Sequence, residues 1–328
     1  MESAPAWPIT IDDVRAARER LRGHLTPTPL RSYAALDTAV GNGIRVWVKH
    51  ENHQPTGAFK VRNALAVLTS LPADALRRGV VAATRGNHGL GLAWAGARLG
   101  VPVTVCVPVG NNPEKNEDLR GLGAVLIEEG RDYDEAVAVA DRMVAERGLT
   151  LVHSTNHPQI VAGAGTLTLE MLEQHPELEA LVFAVGGGSQ AVGGLTVVRG
   201  LGSRIPVYAV QAAAAGAIHD SWHAGRPLPR ASADTFADGL ATRNVYPFTF
   251  GALREGLAGF VAVSEGELAE ATRLLIRTTH TLVEGAGAAG LAGLLRLRET
   301  LRGREAGIVI SGGNVDEATL RRVLVREI

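Results

Sequence analysis

A lysine placed directly after a tight turn is the residue of this chain best suited to covalent chemistry. The stretch Gln54-Pro55-Thr56-Gly57-Ala58-Phe59-Lys60 follows an alternating apolar run at 44–48 that predicts a strand. Pro55 and Gly57 predict a turn, which puts Lys60 in the first turn of the next helix. The positive end of the helix dipole disfavours a cation there, and burial would lower the pKa of the lysine further. Such a lysine suits Schiff-base formation, whereas the alternative is a surface lysine whose amine reaches solvent.

Two loops rich in small residues follow predicted strands and are suited to binding anions. Thr84-Arg85-Gly86-Asn87-His88 and Gly186-Gly187-Gly188-Ser189 each lie between a strand and a helix, so their backbone N–H groups are at a helix N-terminus. Glycines let the backbone approach a phosphate closely. The second loop lacks the Gly-x-Gly-x-x-Gly pattern of dinucleotide-binding proteins and the Gly-Lys-Ser/Thr of a P-loop. The first loop is equally consistent with an ordinary turn capped by Asn87.

A third loop, Ser311-Gly312-Gly313-Asn314, follows the last predicted strand. The Ser311 hydroxyl either hydrogen-bonds a ligand or closes a turn. Because ligands of parallel α/β sheets collect at the carboxyl ends of the strands, we expect the three loops to meet there. A lysine, a phosphate loop, a carboxylate loop and a hydroxyl are the contacts that pyridoxal phosphate and an amino acid require.

Apolar runs predict the elements that position these loops. Short strands alternate with helices through most of the chain, which indicates parallel sheets with right-handed crossovers. Strands are predicted at 44–48, 80–83, 103–107, 124–127, 181–185, 207–210 and 307–310. Helices are predicted at 10–22, 64–68, 87–99, 113–122, 132–147, 191–201, 265–280 and 287–301, with a helix and a long loop in 219–243.

Composition and length indicate a large α/β protein. With 328 residues the chain can form two domains, and we place a smaller domain at 79–152, inserted into a larger one made of 1–78 and 153–328. Lys+Arg 33 against Asp+Glu 34 gives no indication of a nucleic-acid or membrane partner. The single cysteine, Cys106, lies in an apolar run and is predicted to be a buried thiol. Since no signal segment or membrane-length apolar run is present, we expect a cytoplasmic protein.

Taken in order, the motifs resemble those of the pyridoxal-phosphate enzymes of fold type II. In particular, the chain resembles the serine/threonine dehydratase (threonine ammonia-lyase) group, which also holds serine racemase. The stretch Gln54–Lys60, continued to Arg62, is similar to the Schiff-base lysine motif of that family, and Gly86-Asn87-His88-Gly89 is similar to its substrate-carboxylate loop. Gly186–Ser189 is similar to its phosphate loop, and Ser311–Asn314 to its ring-nitrogen loop. The resemblance covers residues from about 10 to the end.

The resemblance also implies the fold. Relatives have a tryptophan synthase β-like fold of two three-layer α/β domains with mainly parallel sheets. The segments Ala237-Asp238-Gly239-Leu240-Ala241 and Glu284-Gly285-Ala286-Gly287 are similar to further family segments. The chain ends soon after Asn314, so we expect no C-terminal regulatory domain like that of the biosynthetic threonine dehydratases.

A role for each motif residue follows from the resemblance. Lys60 would be the catalytic residue, holding pyridoxal 5'-phosphate covalently and acting as the base at the substrate Cα. The other cofactor contacts would be Phe59, Asn87, Gly186, Gly187, Gly188, Ser189, Gly239 and Ser311. The substrate carboxylate would be held by Thr84, Arg85, Gly86, Asn87 and His88. The resemblance further implies a homodimer acting on a small amino acid.

The serine at position 311 has a mechanistic consequence. A carboxylate partner would keep the pyridine nitrogen protonated and make the ring a strong electron sink, whereas a hydroxyl cannot supply that charge. A carbanion at Cα is then less stabilised, which favours immediate loss of a β-substituent over transamination. We therefore predict β-elimination from a β-hydroxy amino acid, such as L-threonine or L-serine, to a 2-oxo acid and ammonia.

Two positions depart from the family pattern. Where many relatives have a serine that acts as the second acid/base in the racemase, this chain has Arg85, which stays protonated and cannot act as that base. Arg85 either points to solvent or binds an anionic group of the substrate. The divalent-cation site of the family has acidic side chains at positions that match Gln211 and Ala217 here. Since such cations prefer carboxylate oxygens, we expect no metal site, although Asp220 is near.

Alternatives remain open at this point. Within enzymes they are a related lyase acting on 3-hydroxyaspartate or phenylserine, a β-replacement enzyme, or an amino-acid racemase, which product analysis separates. Outside enzymes the alternative is a catalytically silent pyridoxal-phosphate-binding protein. Lys60 together with a complete carboxylate loop argues against that last alternative, and a turnover assay decides it.

Overall fold

The computed structural model describes residues 7–131 and 133–328. The strands are β1 (Leu30–Ser32), β2 (Arg45–His50), β3 (Val80–Ala83), β4 (Val103–Val107), β5 (Val125–Glu128), β6 (Thr150–Leu151), β7 (Ala180–Ala184), β8 (Val207–Ala212), β9 (Gly259–Val263) and β10 (Glu305–Ile310). The helices before β7 are α1 (Ile11–Leu21), α2 (Ala34–Val40), α3 (Lys60–Leu68), α4 (Ala73–Arg78), α5 (Asn87–Leu99), α6 (Pro113–Gly121), α7 (Tyr133–Arg147) and α8 (Pro158–Gln174). The later helices are α9 (Ser189–Gly200), α10 (Ala217–Ala224), α11 (Pro247–Gly256), α12 (Glu265–Thr279), α13 (Gly285–Arg296) and α14 (Glu317–Leu324).

Two sheets organise the molecule. One has six strands in the order β1-β2-β10-β7-β8-β9, and the other has four in the order β5-β4-β3-β6. Neighbouring strands are parallel, except that β1 pairs with β2 in the antiparallel direction. Every residue of β3 and β4 is buried, as expected for parallel strands covered by helices on both faces. The predicted α/β class with mainly parallel sheets is confirmed.

The helix that begins at Lys60 lies between the two sheets. α3 packs against α5 and α8 at short distance, because both partners have a glycine at the contact. A Cβ atom at Gly91 would lie 2.9 Å from the carbonyl oxygen of Lys60, and one at Gly163 would lie 2.7 Å from that of Arg62. Val105 of one sheet and Phe183 of the other belong to the same apolar core. The core is therefore continuous across residues 79 and 152, and the proposed domain boundaries stay a prediction.

Several predicted bounds differ from the structure by a few residues, and some elements were not predicted. The predicted helix start at residue 132 falls outside the described residues. The elements missed are α2, α4, α8, α11, α14, β1, β6 and β9. The thiol of Cys106 is buried within β4 as predicted, and burial raises its pKa to about 11. Among the described residues, no helix combines the length and apolarity needed to cross a membrane.

A long irregular segment connects α10 to α11. Its residues 226–246 contain only one short 3-10 turn, Asp238–Leu240, and we call them the wall segment. The sequence predicted a helix followed by a loop in this region, and α10 begins at Ala217 rather than at residue 219.

Candidate active site

A cavity of about 530 Å³ opens beside the carboxyl ends of β3, β7 and β10. The loop after each of these strands contributes to its lining, as does most of the wall segment. Every residue that the sequence predicted for cofactor or substrate binding lines this cavity. The topology of the two sheets therefore brings together loops that lie more than two hundred residues apart in the chain.

Lys60 is the first residue of α3, and the preceding turn fixes where its side chain begins. Gly57 adopts a left-handed conformation with φ +66°, which favours glycine, and a Cβ atom there would lie 2.3 Å from Oδ1 of Asn314. The backbone N–H of Phe59 donates to the carbonyl oxygen of Ser311 at 3.0 Å. The turn is thus attached to the loop after β10, and this attachment places the lysine beside Ser311.

The amine of Lys60 has few polar partners. Its Nζ lies 3.3 Å from the carbonyl oxygen of Ser154 and 5.0 Å from the ring centroid of Phe59. Burial lowers its pKa to about 8, as the sequence led us to expect of a buried lysine in this place. A fraction of the amine is therefore neutral, and nucleophilic, at physiological pH.

The chain contains only three lysines, and the other two are paired with carboxylates. Nζ of Lys49 lies 2.7 Å from Glu170, and Nζ of Lys115 lies 2.7 Å from Asp238. Lys60 forms no ion pair with any carboxylate that the structure describes. An unpaired buried amine that faces a cavity is the arrangement that covalent amine chemistry needs.

The glycine loop after β7 leaves a helix N-terminus open to the cavity. α9 begins at Ser189 without a side-chain cap, and Gly188 has φ +98°. A Cβ atom at Gly186 would lie 2.3 Å from the carbonyl oxygen of Gly239, and one at Gly187 would lie 2.2 Å from Oγ1 of Thr155. Only glycine fits in either place. Uncapped N–H groups in a cradle of this kind suit a phosphate group.

The loop after β3 also ends at an uncapped helix N-terminus, that of α5. Oγ1 of Thr84 accepts from the N–H of Gly86 at 3.1 Å, and Nε2 of His88 hydrogen-bonds the carbonyl oxygen of Val152 at 2.9 Å. Burial lowers the pKa of His88 to about 3, so its ring is neutral. These side chains hold the loop, and the N–H groups of the first helical turn are the donors available to a carboxylate.

Arg85 lies at the edge of the cavity and is exposed to solvent. No described residue forms a hydrogen bond or an ion pair with its guanidinium. Its charge is therefore solvated, as in the first of the two alternatives for this residue. A ligand at the cavity mouth can still reach it.

Asn87 and Glu284 form a polar pair on the cavity side of Ser311. Nδ2 of Asn87 donates to Oε1 of Glu284 at 2.7 Å, and Oδ1 of Asn87 accepts from Asn314 at 2.8 Å. Burial raises the pKa of Glu284 to about 7, against the charge of Lys115 and the hydrogen bond from Asn87. The sequence assigned no role to Glu284, although a lone acidic residue in a run of glycine and alanine is a detectable signal.

Lys115 and Asp238 form a second feature that the sequence did not predict. Lys115 belongs to α6, and its side chain is 11% exposed, whereas Asp238 belongs to the wall segment. Tyr133 also lines the cavity, and burial raises its pKa to about 12. Nothing in the local sequence around these residues indicates that they meet at one site.

The positions expected to lack a metal site are occupied by protein contacts. Oε1 of Gln211 accepts from the backbone N–H of His219 at 2.9 Å, and Ala217 begins α10. Asp220 pairs with Arg230 at 2.6 Å. No cluster of three or more His, Cys, Asp or Glu side chains suited to a metal was found in the described part of the chain. That the protein needs no metal stays a prediction.

Comparison with known proteins shows the family. Residues 21–312 match the family described as pyridoxal-phosphate dependent enzyme. The L-threonine ammonia-lyase of Geobacter sulfurreducens is 37% identical over 95% of this chain and 77% of its own. The L-threo-3-hydroxyaspartate ammonia-lyase of a Pseudomonas species is 34% identical over 93% of this chain and 95% of its own.

Solved structures agree with the sequence relatives. The serine racemase of Dictyostelium discoideum superposes with a TM-score of 0.88 at 30% identity, covering 94% of this chain and 99% of that one. The predicted fold type II is confirmed by this likeness. The cavity described above contains the unpaired amine of Lys60 and the glycine loop at the uncapped start of α9. The chain therefore belongs to the family of pyridoxal-phosphate-dependent enzymes.

Proposed function

We propose that this protein is an ammonia-lyase that eliminates water from a β-hydroxy amino acid and yields a 2-oxo acid and ammonia. The observation that carries the proposal is the position of Lys60, whose amine shares one cavity with the glycine loop, the carboxylate loop and Ser311. L-Threonine and L-serine are the proposed substrates. 3-Hydroxyaspartate is the leading alternative, because the hydroxyaspartate lyase is nearly as similar as the threonine lyase.

The residues of the cavity fit the cofactor. Lys60 would bind its aldehyde carbon, and the cradle of Gly186–Ser189 would hold its phosphate through N–H groups at the start of α9. The ring would lie near Phe59 and Gly239, with its nitrogen at Ser311 and its hydroxyl at Asn87. Bound pyridoxal phosphate supplies an electron-withdrawing ring that makes the Cα–H bond of an attached amino acid acidic.

The side chains of this protein would then perform the remaining steps. The substrate amine would displace the amine of Lys60 from the aldehyde carbon, and the N–H groups at the start of α5 would orient the α-carboxylate. The freed amine of Lys60 would then accept the Cα proton at Nζ. The ammonium of Lys60 would then pass a proton to the β-hydroxyl group, which would leave as water. The neutral hydroxyl that Ser311 would present to the ring nitrogen favours this prompt departure. The released enamine hydrolyses to the 2-oxo acid and ammonia.

Borohydride reduction of the protein loaded with pyridoxal phosphate tests the role of Lys60. Cleavage after lysine cuts this chain only at residues 49, 60 and 115, so an unlabelled protein yields a peptide covering 50–60. A label on Lys60 blocks that cut and yields a labelled peptide covering 50–115. A label on Lys49 or Lys115, or no visible absorbance after reconstitution, would contradict the proposal.

A substrate panel tests the reaction itself. The 2-oxo acid released from L-serine, L-threonine, 3-hydroxyaspartate and phenylserine is measured, together with any D-amino acid. We expect a 2-oxo acid from at least one of the four and no D-isomer, because Arg85 occupies the position of the second acid/base. A D-isomer as the main product would favour the racemase alternative, and no turnover at all would favour the silent binding protein.

We further propose that the enzyme is a cytoplasmic homodimer, as the family resemblance implies. Light scattering coupled to gel filtration gives the mass of the particle in solution. A mass of one chain at all protein concentrations would contradict the homodimer.

A further inference from the structure

The wall segment is the part of the cavity with the least regular structure. It carries one 3-10 turn, and most of its residues from 231 to 246 line the cavity. Few of its backbone groups bond to one another. A segment of this kind depends on side-chain contacts for its position.

Arg230 connects the wall segment to the rest of the fold. Its Nε and Nη2 donate to Oδ2 of Asp220 at 2.9 and 2.6 Å, and its Nη1 donates to the carbonyl oxygen of Ala213. Its backbone N–H donates to the carbonyl oxygen of Arg243 at 2.9 Å. One residue thus joins α10, the turn after β8 and the far end of the wall segment.

The guanidinium of Arg230 lies close to the backbone at Gly216. A Cβ atom at Gly216 would lie 3.2 Å from Nη2 of Arg230 and 3.4 Å from the carbonyl oxygen of Ala213, so a side chain there would crowd the group. Oδ1 of Asp220 also lies 3.1 Å from Nδ1 of His219. Burial alone would raise the pKa of Asp220, but hydrogen bonds from His219 and Arg230 lower it overall, so the carboxylate is ionised at neutral pH.

The Arg230–Asp220 pair is better suited to positioning the wall segment than to stabilising the fold. The side chains of Arg230 and Asp220 are 34% and 36% exposed, and ion pairs with that much solvent contribute little to the free energy of unfolding. The glycine loop, the carboxylate loop and Lys60 belong to elements that Arg230 does not contact. The rest of the cavity lining is available to the side chain of the substrate. It includes Thr242, Asn244 and Tyr246, which are close in sequence to Arg243.

We propose that the Arg230–Asp220 pair sets the width of the cavity and thereby selects the size of the substrate side chain. Arg230 is a positioning residue, since it lines neither the cofactor cradle nor the cavity. The inference rests on the proposed function, because it concerns the substrate of the same site. Without the guanidinium, the stretches of the wall segment around residues 230 and 243 lose their attachment to α10, while Lys115 and Glu265 still hold residues 235–238. The preferred substrate then binds less tightly and bulkier side chains are admitted.

Steady-state kinetics of Arg230→Ala on L-serine, L-threonine and phenylserine test the inference. The matched control is Arg226→Ala, which removes an exposed arginine from the same segment. For Arg230→Ala we expect KM for the best substrate to rise about tenfold with kcat within about threefold, and the kcat/KM of phenylserine relative to it to rise about fivefold or more. Guanidinium chloride at sub-denaturing concentration should lower KM of this variant and not that of the unmodified enzyme.

Two further variants keep the test decisive. Asp220→Asn removes the charge of the partner and should shift selectivity in the same direction, even where Arg230→Ala fails to fold. Arg230→Lys retains a cation and should restore part of the original selectivity. An unchanged ratio of kcat/KM across the three substrates in both Arg230→Ala and Asp220→Asn would overturn the inference. An inactive unmodified enzyme would overturn the proposed function instead, so the two failures are distinguishable.

Discussion

At the scale of single residues, the carboxyl group of Glu284 titrates near neutral pH, as does the amine of Lys60. The pKa of Glu284 is raised to about 7 by burial, while the nearby charge of Lys115 and the N–H of Asn87 act in the opposite direction. Because Asn87 also bonds Asn314, protonation of Glu284 changes a hydrogen-bonded chain that borders the cofactor pocket. The pH dependence of stability should therefore include a contribution from Glu284.

Replacing Glu284 with glutamine should reduce the loss of stability that the cofactor-free protein shows as the pH rises from about 4.5 to about 7. The folded-state pKa lies above the ordinary value of 4.5, so the contribution of this group to stability is complete below about pH 4.5 and is lost as the pH rises through about 7. The free energy of unfolding of Glu284→Gln, relative to that of the unmodified protein, should increase by on the order of 3 kcal/mol between pH 4.5 and pH 8. Tm measured across this range checks the effect, and a pH-independent difference would contradict it.

Arg85→Ser tests whether the exposed guanidinium at the cavity mouth contacts the substrate. If it does, the variant should lose about tenfold in kcat/KM, which corresponds to about 1.4 kcal/mol of transition-state binding. The serine would also place a hydroxyl where the racemase has its second acid/base, so traces of D-isomer are expected. Arg77→Ser, on the outer helix α4, is the control. Unchanged kcat/KM on the best substrate would show that Arg85 is a surface residue that does not contact the substrate.

Sequence reasoning located the residues of the site that belong to local motifs. Lys60, the glycine loop and Ser311 each follow a strand, and a strand end is recognisable from neighbouring residues. The sequence did not single out Lys115, Asp238 or Arg230. Lys115 and Asp238 pair with each other although they are far apart in the chain, and Arg230 belongs to the irregular wall segment. No periodicity marks such pairs, and only the fold brings them together.

At the scale of elements, a buried ion network connects α3 to β2 and α8. Arg62 is bonded to Glu51 and to Glu170, and Glu170 also pairs with Lys49. Arg62, Glu51 and Lys49 are each at most 2% exposed. Since Lys60 lies two residues before Arg62, this network holds the first turn of the helix that carries the lysine.

Arg62→Met should destabilise the protein strongly. Removing one partner from a buried ion pair leaves the other charge without compensation, which typically costs about 3–5 kcal/mol. Arg302→Met removes an arginine from an exposed pair with Glu299 and should cost less than about 1 kcal/mol. Urea unfolding of both variants gives the two free energies, and equal effects would show that the network contributes no more than a surface pair.

Chelation of divalent cations should leave activity and Tm unchanged, because the side-chain oxygens near α10 already accept hydrogen bonds. Oε1 of Gln211 accepts from the N–H of His219, and Oδ2 of Asp220 accepts from Arg230. The measurement is an assay of the enzyme before and after dialysis against EDTA. A loss restored by magnesium or calcium would show that Asp220 or backbone oxygens form a cation site despite these contacts.

The sequence predicted most strands and most helices, and the longest helix that it missed is α8, with 17 residues. Every residue from Ile160 to Met171 in that helix is buried, so its sequence shows no amphipathic period. Its alanine and glycine residues serve close packing against α3 and α9 instead. A helix enclosed on all sides is indistinguishable, by pattern alone, from a run of loop and strand.

At the scale of the whole molecule, the Lys115–Asp238 pair spans the opening between the two sheets. Lys115 is carried by α6, beside the four-stranded sheet, and Asp238 by the wall segment, beside the six-stranded one. Burial alone would lower the pKa of Lys115, but the carboxylates of Asp238 and Glu284 raise it overall. The pair therefore connects both halves of the site across the mouth of the cavity.

Lys115→Met and Asp238→Asn should each raise KM about fivefold without altering the absorbance of the bound cofactor, because substrate is held less well between the halves. The double variant should be no worse than the poorer single variant, since both changes break the same contact. Steady-state kinetics of the three variants form a double-mutant cycle. Strictly additive effects would mean that the two residues act independently.

The three lysines have a consequence for reactivity towards aldehydes and acylating agents. Lys49 is fully buried, Lys115 is 11% exposed and paired, and only Lys60 combines an unpaired amine with an open cavity. The exposed positive charge of the described surface is carried by arginine, which these reagents modify poorly. Free aldehyde therefore finds a single competent side-chain amine in the cofactor-free protein. Surplus cofactor, present once Lys60 is occupied, finds no second one, so stray adducts on other side chains are disfavoured.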